Sequence, residues 1–276
     1  MPYVAEISRS NPACILFLVD QSGSMADQWS GEGGQSKASG VATILNRLLQ
    51  ALVLKCTKGE EVRNYFYVSV VGYGGETRRL LTQEGDDPGP ISWIADHPQR
   101  VEERQVDQED GAGGLVKVTR RFPVWIDPVA ESGTPMCAAL GDILTLVRGW
   151  IERYPNSYPP VIFNITDGES TDGDPRPVAR QVISQGTSDG SPLLFNVHVS
   201  SQSGAPILLA DAPGALPDDY ARMLFEMSSE LPPAVRRLAT AEGLVASPTS
   251  RGFVFNADPV SLIKFLDIGT RPANLR

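Results

Sequence analysis

The stretch Ile15-Leu16-Phe17-Leu18-Val19-Asp20-Gln21-Ser22-Gly23-Ser24-Met25 decides how the rest of the chain is read. Its apolar half has the length and composition of a buried strand, and it empties directly into Asp-x-Ser-x-Ser. One carboxylate and two hydroxyls, projected from alternate positions of a short loop, can converge on a hard cation. Mg2+ is the natural candidate, because it favours oxygen ligands in octahedral geometry.

Two further segments extend the donor set. Ser132-Gly133-Thr134-Pro135 opens a helical stretch, with proline at a position where its fixed φ suits the first turn. Val161-Ile162-Phe163-Asn164-Ile165-Thr166-Asp167-Gly168 is a second apolar strand ending in an acid. They supply another hydroxyl and another carboxylate.

Around these segments strands and helices alternate. Residues 13–20 read as the first strand and 27–39 as a Gly- and Ser-rich loop. A helix follows, with Val41, Ile44, Leu45, Leu48, Leu49, Leu52 and Val53 at three- and four-residue steps. Residues 65–73, rich in aromatic and β-branched types, read as the second strand. Ala138, Leu140, Ile143, Leu144, Val147 and Ile151 give the next helix its apolar face. Further on, 175–184, 218–228 and 259–266 read as helices, and 193–199 and 253–255 as strands. Such alternation predicts an α/β fold, a doubly wound, mainly parallel central sheet flanked by helices, Rossmann-like in its winding. Ligands of these sheets bind outside the carboxyl ends of the strands, where strand order reverses. Asp20 and Asp167 are expected there, on neighbouring strands.

Residues 82–114 interrupt the alternation. The segment is acidic, broken by Asp86-Asp87-Pro88-Gly89-Pro90, and sustains neither period, so it reads as an inserted, solvated surface loop. If it instead borders the ligand site, Trp93 and Ile94 are its anchors onto the body. The expected organisation is one domain over 1–276, with a core from about 13 to 267.

On the residues quoted above, the chain resembles a von Willebrand factor A domain with a metal-ion-dependent adhesion site, the module also found as the inserted domain of integrins. The resemblance rests on the Asp20-x-Ser22-x-Ser24, Ser-Gly-Thr134-Pro and Ile-Thr-Asp167-Gly motifs in that order and at wide spacing. It implies that Ser22 and Ser24 ligate the metal directly, that Thr134 does so in the ligand-ready state, and that Asp20 and Asp167 act through water. It also implies Mg2+, with Mn2+ or Ca2+ as alternatives, and a partner protein offering an Asp or Glu to the cation. Intracellular bacterial relatives serve as assembly or regulatory modules beside kinases, phosphatases or ATPases.

Composition narrows the classes. The 276 residues are 41% hydrophobic and 7% aromatic, enough for a full core. A formal net charge of -9 argues against sequence-independent nucleic-acid binding, which needs a basic surface to release counterions. The first residues lack a signal peptide's basic start and apolar stretch, and no run approaches the ~20 apolar residues of a spanning helix, so the expected location is cytoplasmic, away from membranes. Cys14, Cys56 and Cys137 are odd in number and scattered, and fit buried free thiols better than a disulfide framework or a zinc site.

Enzyme classes can be tested against the letters. A haloacid-dehalogenase-like phosphotransferase needs Asp-x-Asp, and Ser22 stands where its second acid belongs. The residue two before Ser22 is Asp20, so the Gly-x-Ser-x-Gly elbow of an α/β-hydrolase is missing. Gly31-Glu32-Gly33-Gly34-Gln35-Ser36-Lys37 imitates a phosphate loop but lacks the glycine before the lysine, and reads as a flexible loop. His97 and His198 are the two histidines, His97 reading as exposed and His198 as structural. Glu169, Asp172 and Asp174 read as loop acids that could tune the site. The expectation is a non-enzymatic, cation-dependent protein-binding module. The alternatives are a Mg2+-dependent phosphatase or nucleotide-processing enzyme built on Asp20 and Asp167, and a scaffold using metal only for stability.

Overall fold

The computed structural model describes residues 3–29, 34–81, 83, 88–109, 114–201, 205–257 and 259–270. Gly31, Glu32, Gly33, Asp86 and Asp87 lie outside them.

In chain order, β1 (Ala13–Asp20) leads to α1 (Lys37–Cys56), the short pair β2 (Thr57–Lys58) and β3 (Glu61–Val62), and then β4 (Phe66–Tyr73) and β5 (Thr77–Leu81). β6 (Gly89–Pro90) and α2 (Ile91–Asp96) precede a long hairpin, β7 (Arg100–Glu109) and β8 (Leu115–Val124). The second half holds α3 (Met136–Arg153), β9 (Val161–Thr166), α4 (Arg176–Ile183), β10 (Leu193–His198) and β11 (Ile207–Leu208). It closes with α5 (Asp219–Met227), α6 (Pro233–Ala241), β12 (Phe253–Phe255) and α7 (Pro259–Thr270).

The sheet runs β11-β12-β10-β9-β1-β4-β5, with β6 also on β4. The five inner strands, β12, β10, β9, β1 and β4, are mutually parallel. β5, β6 and β11 add antiparallel pieces at its margins. This is the doubly wound α/β fold that the alternation predicts.

Alternation within β1 explains its unbroken apolar sequence. Ile15, Phe17 and Val19 enter the layer shared with α1 and α7, while Cys14, Leu16 and Leu18 enter the layer under α3, α4 and α5. A strand covered on both faces has no polar side to show. α1 follows from its three- and four-residue apolar stripe and from Ser36, whose side chain accepts a hydrogen bond from the Ser39 backbone as N-cap. It begins at Lys37, inside the segment that reads as loop.

From β1 the chain crosses to β4 on one side, then returns through α3 to β9 on the other. The reversal of strand order lies between β1 and β9, paired from Ile15 with Val161 to Val19 with Ile165.

The inserted segment departs from its reading as a loop. It contains β6, α2 and all of β7, whose hairpin with β8 pairs in register from Arg100 with Val124 to Glu109 with Leu115. The strand period is hidden because β7 and β8 pair with each other and lie outside the main sheet. Val101 and Val116 stay 44% and 45% exposed, and Arg100 and Arg104 pair with Glu102. The expected anchors are placed firmly: Ile94 is fully buried, and Trp93 packs half-buried against the core. At the hairpin root Trp125 donates its ring N–H to the Ile94 carbonyl at 2.7 Å. The Asn46 side chain of α1 accepts from the Trp125 and Ile126 backbones at 2.8 and 3.0 Å.

Because these anchors sit at the root, replacing residues 102–122 by a short turn should leave the sheet folded. The melt should stay cooperative and shift by less than about 4 °C. Loss of a cooperative transition would show that the hairpin is integral to the domain.

Candidate functional site

At the carboxyl end of β1, Asp20 is almost completely buried and fully engaged. Its Oδ1 accepts the Ser22 backbone N–H at 2.8 Å, and its Oδ2 accepts the Thr166 hydroxyl from the neighbouring β9 at 2.6 Å. Burial pushes its carboxyl up to about 6, against the pull of the Thr166 and Ser22 hydrogen bonds and with a smaller push from the charge of Asp167. The Ser22 and Ser24 hydroxyls lie 3.0 Å apart.

Asp167 follows the last residue of β9. Its Oδ2 is 3.2 Å from the Lys37 ammonium, which also donates to the Ser24 carbonyl at 3.1 Å. Asp20, Ser22, Ser24 and Asp167 therefore belong to one connected network. The turn after Asp167 demands glycine: Gly168 has φ +103, and a Cβ there would lie 2.7 Å from the Tyr220 Cβ and 3.1 Å from the His198 ring.

His198, at the end of β10, donates its Nε2–H to the Asp167 carbonyl at 2.6 Å. Burial, the largest influence, lowers its pKa and favours the neutral ring, which fits a histidine that tethers a loop. That agrees with its structural reading. His97 is exposed and stacked on Trp93 at 4.6 Å.

Thr134 joins from a third segment. Glu131 donates its backbone N–H to the Gln21 carbonyl, which draws residues 131–134 against the loop after β1. Thr134 itself is buried. Its N–H donates to the Thr171 hydroxyl at 2.9 Å, and its carbonyl accepts the Thr171 N–H at 3.0 Å. All five candidate residues thus collect at one end of the sheet, beside the reversal of strand order.

The neighbouring acids differ in role. Asp172 does more than a loop acid: it accepts the Cys137 and Ala138 backbones at 3.0 and 2.9 Å, so it satisfies the start of α3 and fixes Thr134 relative to the β9 loop. Asp174 pairs with Arg176. Glu169 borders a cavity of about 250 Å³ together with Ser24, Asp27, Lys37, Asp167 and Asp218.

The donor chemistry fits a hard cation. Two carboxylates and three hydroxyls are oxygen ligands throughout, as Mg2+, Mn2+ or Ca2+ require. Among the described residues no three His, Cys, Asp or Glu side chains form a metal-holding group, so the hydroxyls of Ser22, Ser24 and Thr134 would have to carry part of the coordination. The three cysteines are free, with Cys14 and Cys56 buried and Cys137 half-buried.

Sequence reasoning missed Lys37 and Thr166 as parts of this site, and had Asp172 only as a loop acid that could tune it. Lys37 carried a signal, since it lies four residues before Val41 and so on the core-facing stripe of α1.

The fold and the cluster define a class: a doubly wound α/β domain with an oxygen-rich site at the strand-order reversal. No protein-family model and no curated protein matches the chain. Solved structures that it resembles include the manganese-loaded TRAP protein of Plasmodium vivax, at 13% identity and TM-score 0.46, over 93% of this chain and 72% of that one. Proximal thread matrix protein 1 from the mussel byssus is 12% identical, with TM-score 0.49, over 94% and 48%. The ArnB paralog VWA2 from Sulfolobus acidocaldarius is 12% identical, with TM-score 0.34, over 68% and 35%. The chain therefore spans about half or less of the length of the last two. Likenesses of this depth carry no argument about ligand or partner. Among the described residues no helix is long and apolar enough to cross a membrane.

Proposed function

We propose that the chain is a von Willebrand factor A-type module. It holds a divalent cation, Mg2+ first and Mn2+ or Ca2+ as alternatives, through Asp20, Ser22, Ser24, Thr134 and Asp167, and binds a carboxylate of a partner protein. The observation that carries this reading is the single network that joins Asp20, Ser22, Ser24 and Asp167 at the carboxyl ends of β1 and β9, with the Thr134 segment held against it through Glu131 and Thr171. A cation bound there supplies an electropositive, exchangeable coordination position. The chain's own residues supply the rest: Asp20 sets the Ser22 loop through its backbone, His198 and Gly168 fix the turn that presents Asp167, and Asp172 positions the loop carrying Thr134.

The reading is of a binding module and not an enzyme. Nucleophilic or acid–base catalysis needs a positioned base that a substrate can reach, and His198, the histidine beside the site, is 3% exposed and serves to tether the Asp167 turn. A role as a regulatory or assembly component of an intracellular multi-protein system follows from the same reading.

Ser22→Ala and Thr134→Ala each remove one hydroxyl and leave the backbone contacts in place. Both positions are buried, but each variant gives up no more than about one side-chain hydrogen bond of about 1 kcal/mol, so both should melt within about 4 °C of the wild type. Both should lose Mg2+-dependent capture of the partner from lysate, and chelator should abolish wild-type capture. Undiminished capture by both variants would overturn the proposal. Turnover of phosphate esters that stops with EDTA would favour the enzyme instead.

A further inference from the structure

The Lys37 side chain is 3% exposed, yet it carries an ammonium. Its nitrogen lies 3.2 Å from Asp167 Oδ2, 3.1 Å from the Ser24 carbonyl and 3.8 Å from Asp27 Oδ2. A buried ammonium is costly unless paired and hydrogen-bonded, and here both of its closest partners belong to the candidate cation site. The lysine is also anchored from behind, because it opens α1 directly after the Ser36 cap.

Charge bookkeeping gives this placement a consequence. The two carboxylates of Asp20 and Asp167 match the charge of a divalent cation, and the hydroxyls are neutral. Lys37 adds one positive charge at contact distance from Asp167, in a region where burial weakens screening. An arriving cation thus meets a carboxylate already shared with an ammonium, and the loaded site is one charge more positive than the same site without the lysine, with Asp27 at 3.8 Å offsetting part of that charge. The more positive the site, the less tightly it holds its metal and the more strongly it attracts an anionic ligand.

We propose that Lys37 is a built-in third charge of the site, which lowers its affinity for the divalent cation and raises the affinity of the loaded site for an acidic ligand. The inference rests on the cation-dependent reading above and adds the sign of the coupling between metal and ligand. Lys37 is a positioning residue here, acting through Asp167.

The test compares the wild type with Lys37→Met, Lys37→Gln and Lys37→Arg, using Mn2+ as metal and acetate as the carboxylate probe. Mn2+ affinity is read by electron paramagnetic resonance of the free ion. Acetate binding is read by its displacement of water from bound Mn2+, which lowers water-proton relaxation. Circular dichroism confirms that each variant is folded, and the Met and Gln variants remove the charge with different packing, so one folded variant suffices. Both should bind Mn2+ about tenfold more tightly, a change of the size that groups behind a metal ligand produce. Both should also need several-fold more acetate, while Lys37→Arg follows the wild type.

Unchanged or weaker Mn2+ binding in the folded neutral variants would overturn the inference and leave the metal site standing. Tighter Mn2+ binding with unchanged acetate binding would overturn its second half. Failure of the wild type to bind Mn2+ more tightly than an Asp20→Ala control would overturn the metal site itself, and the inference with it.

Discussion

Asp20→Asn is expected to stabilise the metal-free protein at pH 7 by about 1–3 kcal/mol and to abolish divalent-cation binding. Burial raises the Asp20 carboxyl from an ordinary 3.8 to about 6. A group raised in the folded state contributes stability that is fully present below its unfolded value and is lost as pH rises through its folded value. The metal-free wild type should therefore lose stability between about pH 4 and 6, by up to roughly 3 kcal/mol. Asparagine keeps the shape and an acceptor for the Ser22 N–H without the charge. The lower end of the range allows for its amide facing the Thr166 hydroxyl, which already accepts the Gly168 N–H at 3.0 Å. Thermal melts from pH 4 to 8 in chelator, with a Mg2+ titration at pH 7, check both halves. A pH profile identical to that of the wild type would contradict the assigned burial of the charge, and retained Mg2+ binding would remove Asp20 from the ligand set.

Asn164→Leu should cost about 3–5 kcal/mol, because it strands two buried polar groups at about 1–3 kcal/mol each and breaks their hydrogen bonds. The Tyr73 hydroxyl donates to Asn164 Oδ1 at 2.7 Å, and Asn164 Nδ2 donates to Asn196 Oδ1 at 2.9 Å. Asn196 passes the chain on to the Ser228 hydroxyl at 3.0 Å and the Leu224 carbonyl at 3.2 Å. This fully buried line links β4, β9 and β10 to α5, directly beneath the site. Urea denaturation should show a lower midpoint with an unchanged slope. Adding Tyr73→Phe should recover part of the loss by removing one stranded hydroxyl, and strict additivity would show that Tyr73 and Asn164 are not coupled.

The two predictions separate what a residue's letter says from what its surroundings make of it. Asp20 stands out in sequence because it ends an apolar run and leads two serines. Nothing local says that its carboxyl is raised, since that follows from burial between β1 and β9. Asn164 sits inside an apolar strand and shows no sign of partners 32 and 91 residues away. Pairing at such separation is a property of the sheet.

The boundaries of the elements tell the same story. β1 and β12 match their predicted limits because a buried strand ends where its apolar run ends. The run of loop-like residues up to Ser39 conceals the start of α1, which the Ser36 cap sets at Lys37. β7 and β8 bury neither face in the main sheet, so no hydrophobic alternation marks them. α6, with only Val235 and Ala239 buried, was too weakly patterned to be read.

Sequence alone determined the doubly wound alternation and singled out five candidate oxygen-bearing residues, because buried strands and the loops that leave them are encoded locally by apolar runs and polar ends. Tertiary structure decided that those residues lie at one end of the sheet beside the reversal between β1 and β9, that Asp172 braces the Thr134 segment and that His198 braces Asp167. It also decided that a lysine enters among the carboxylates. The physical reason is that charge, burial and hydrogen-bond partners at a strand end are set by neighbours more than a hundred residues away, such as Lys37 beside Asp167.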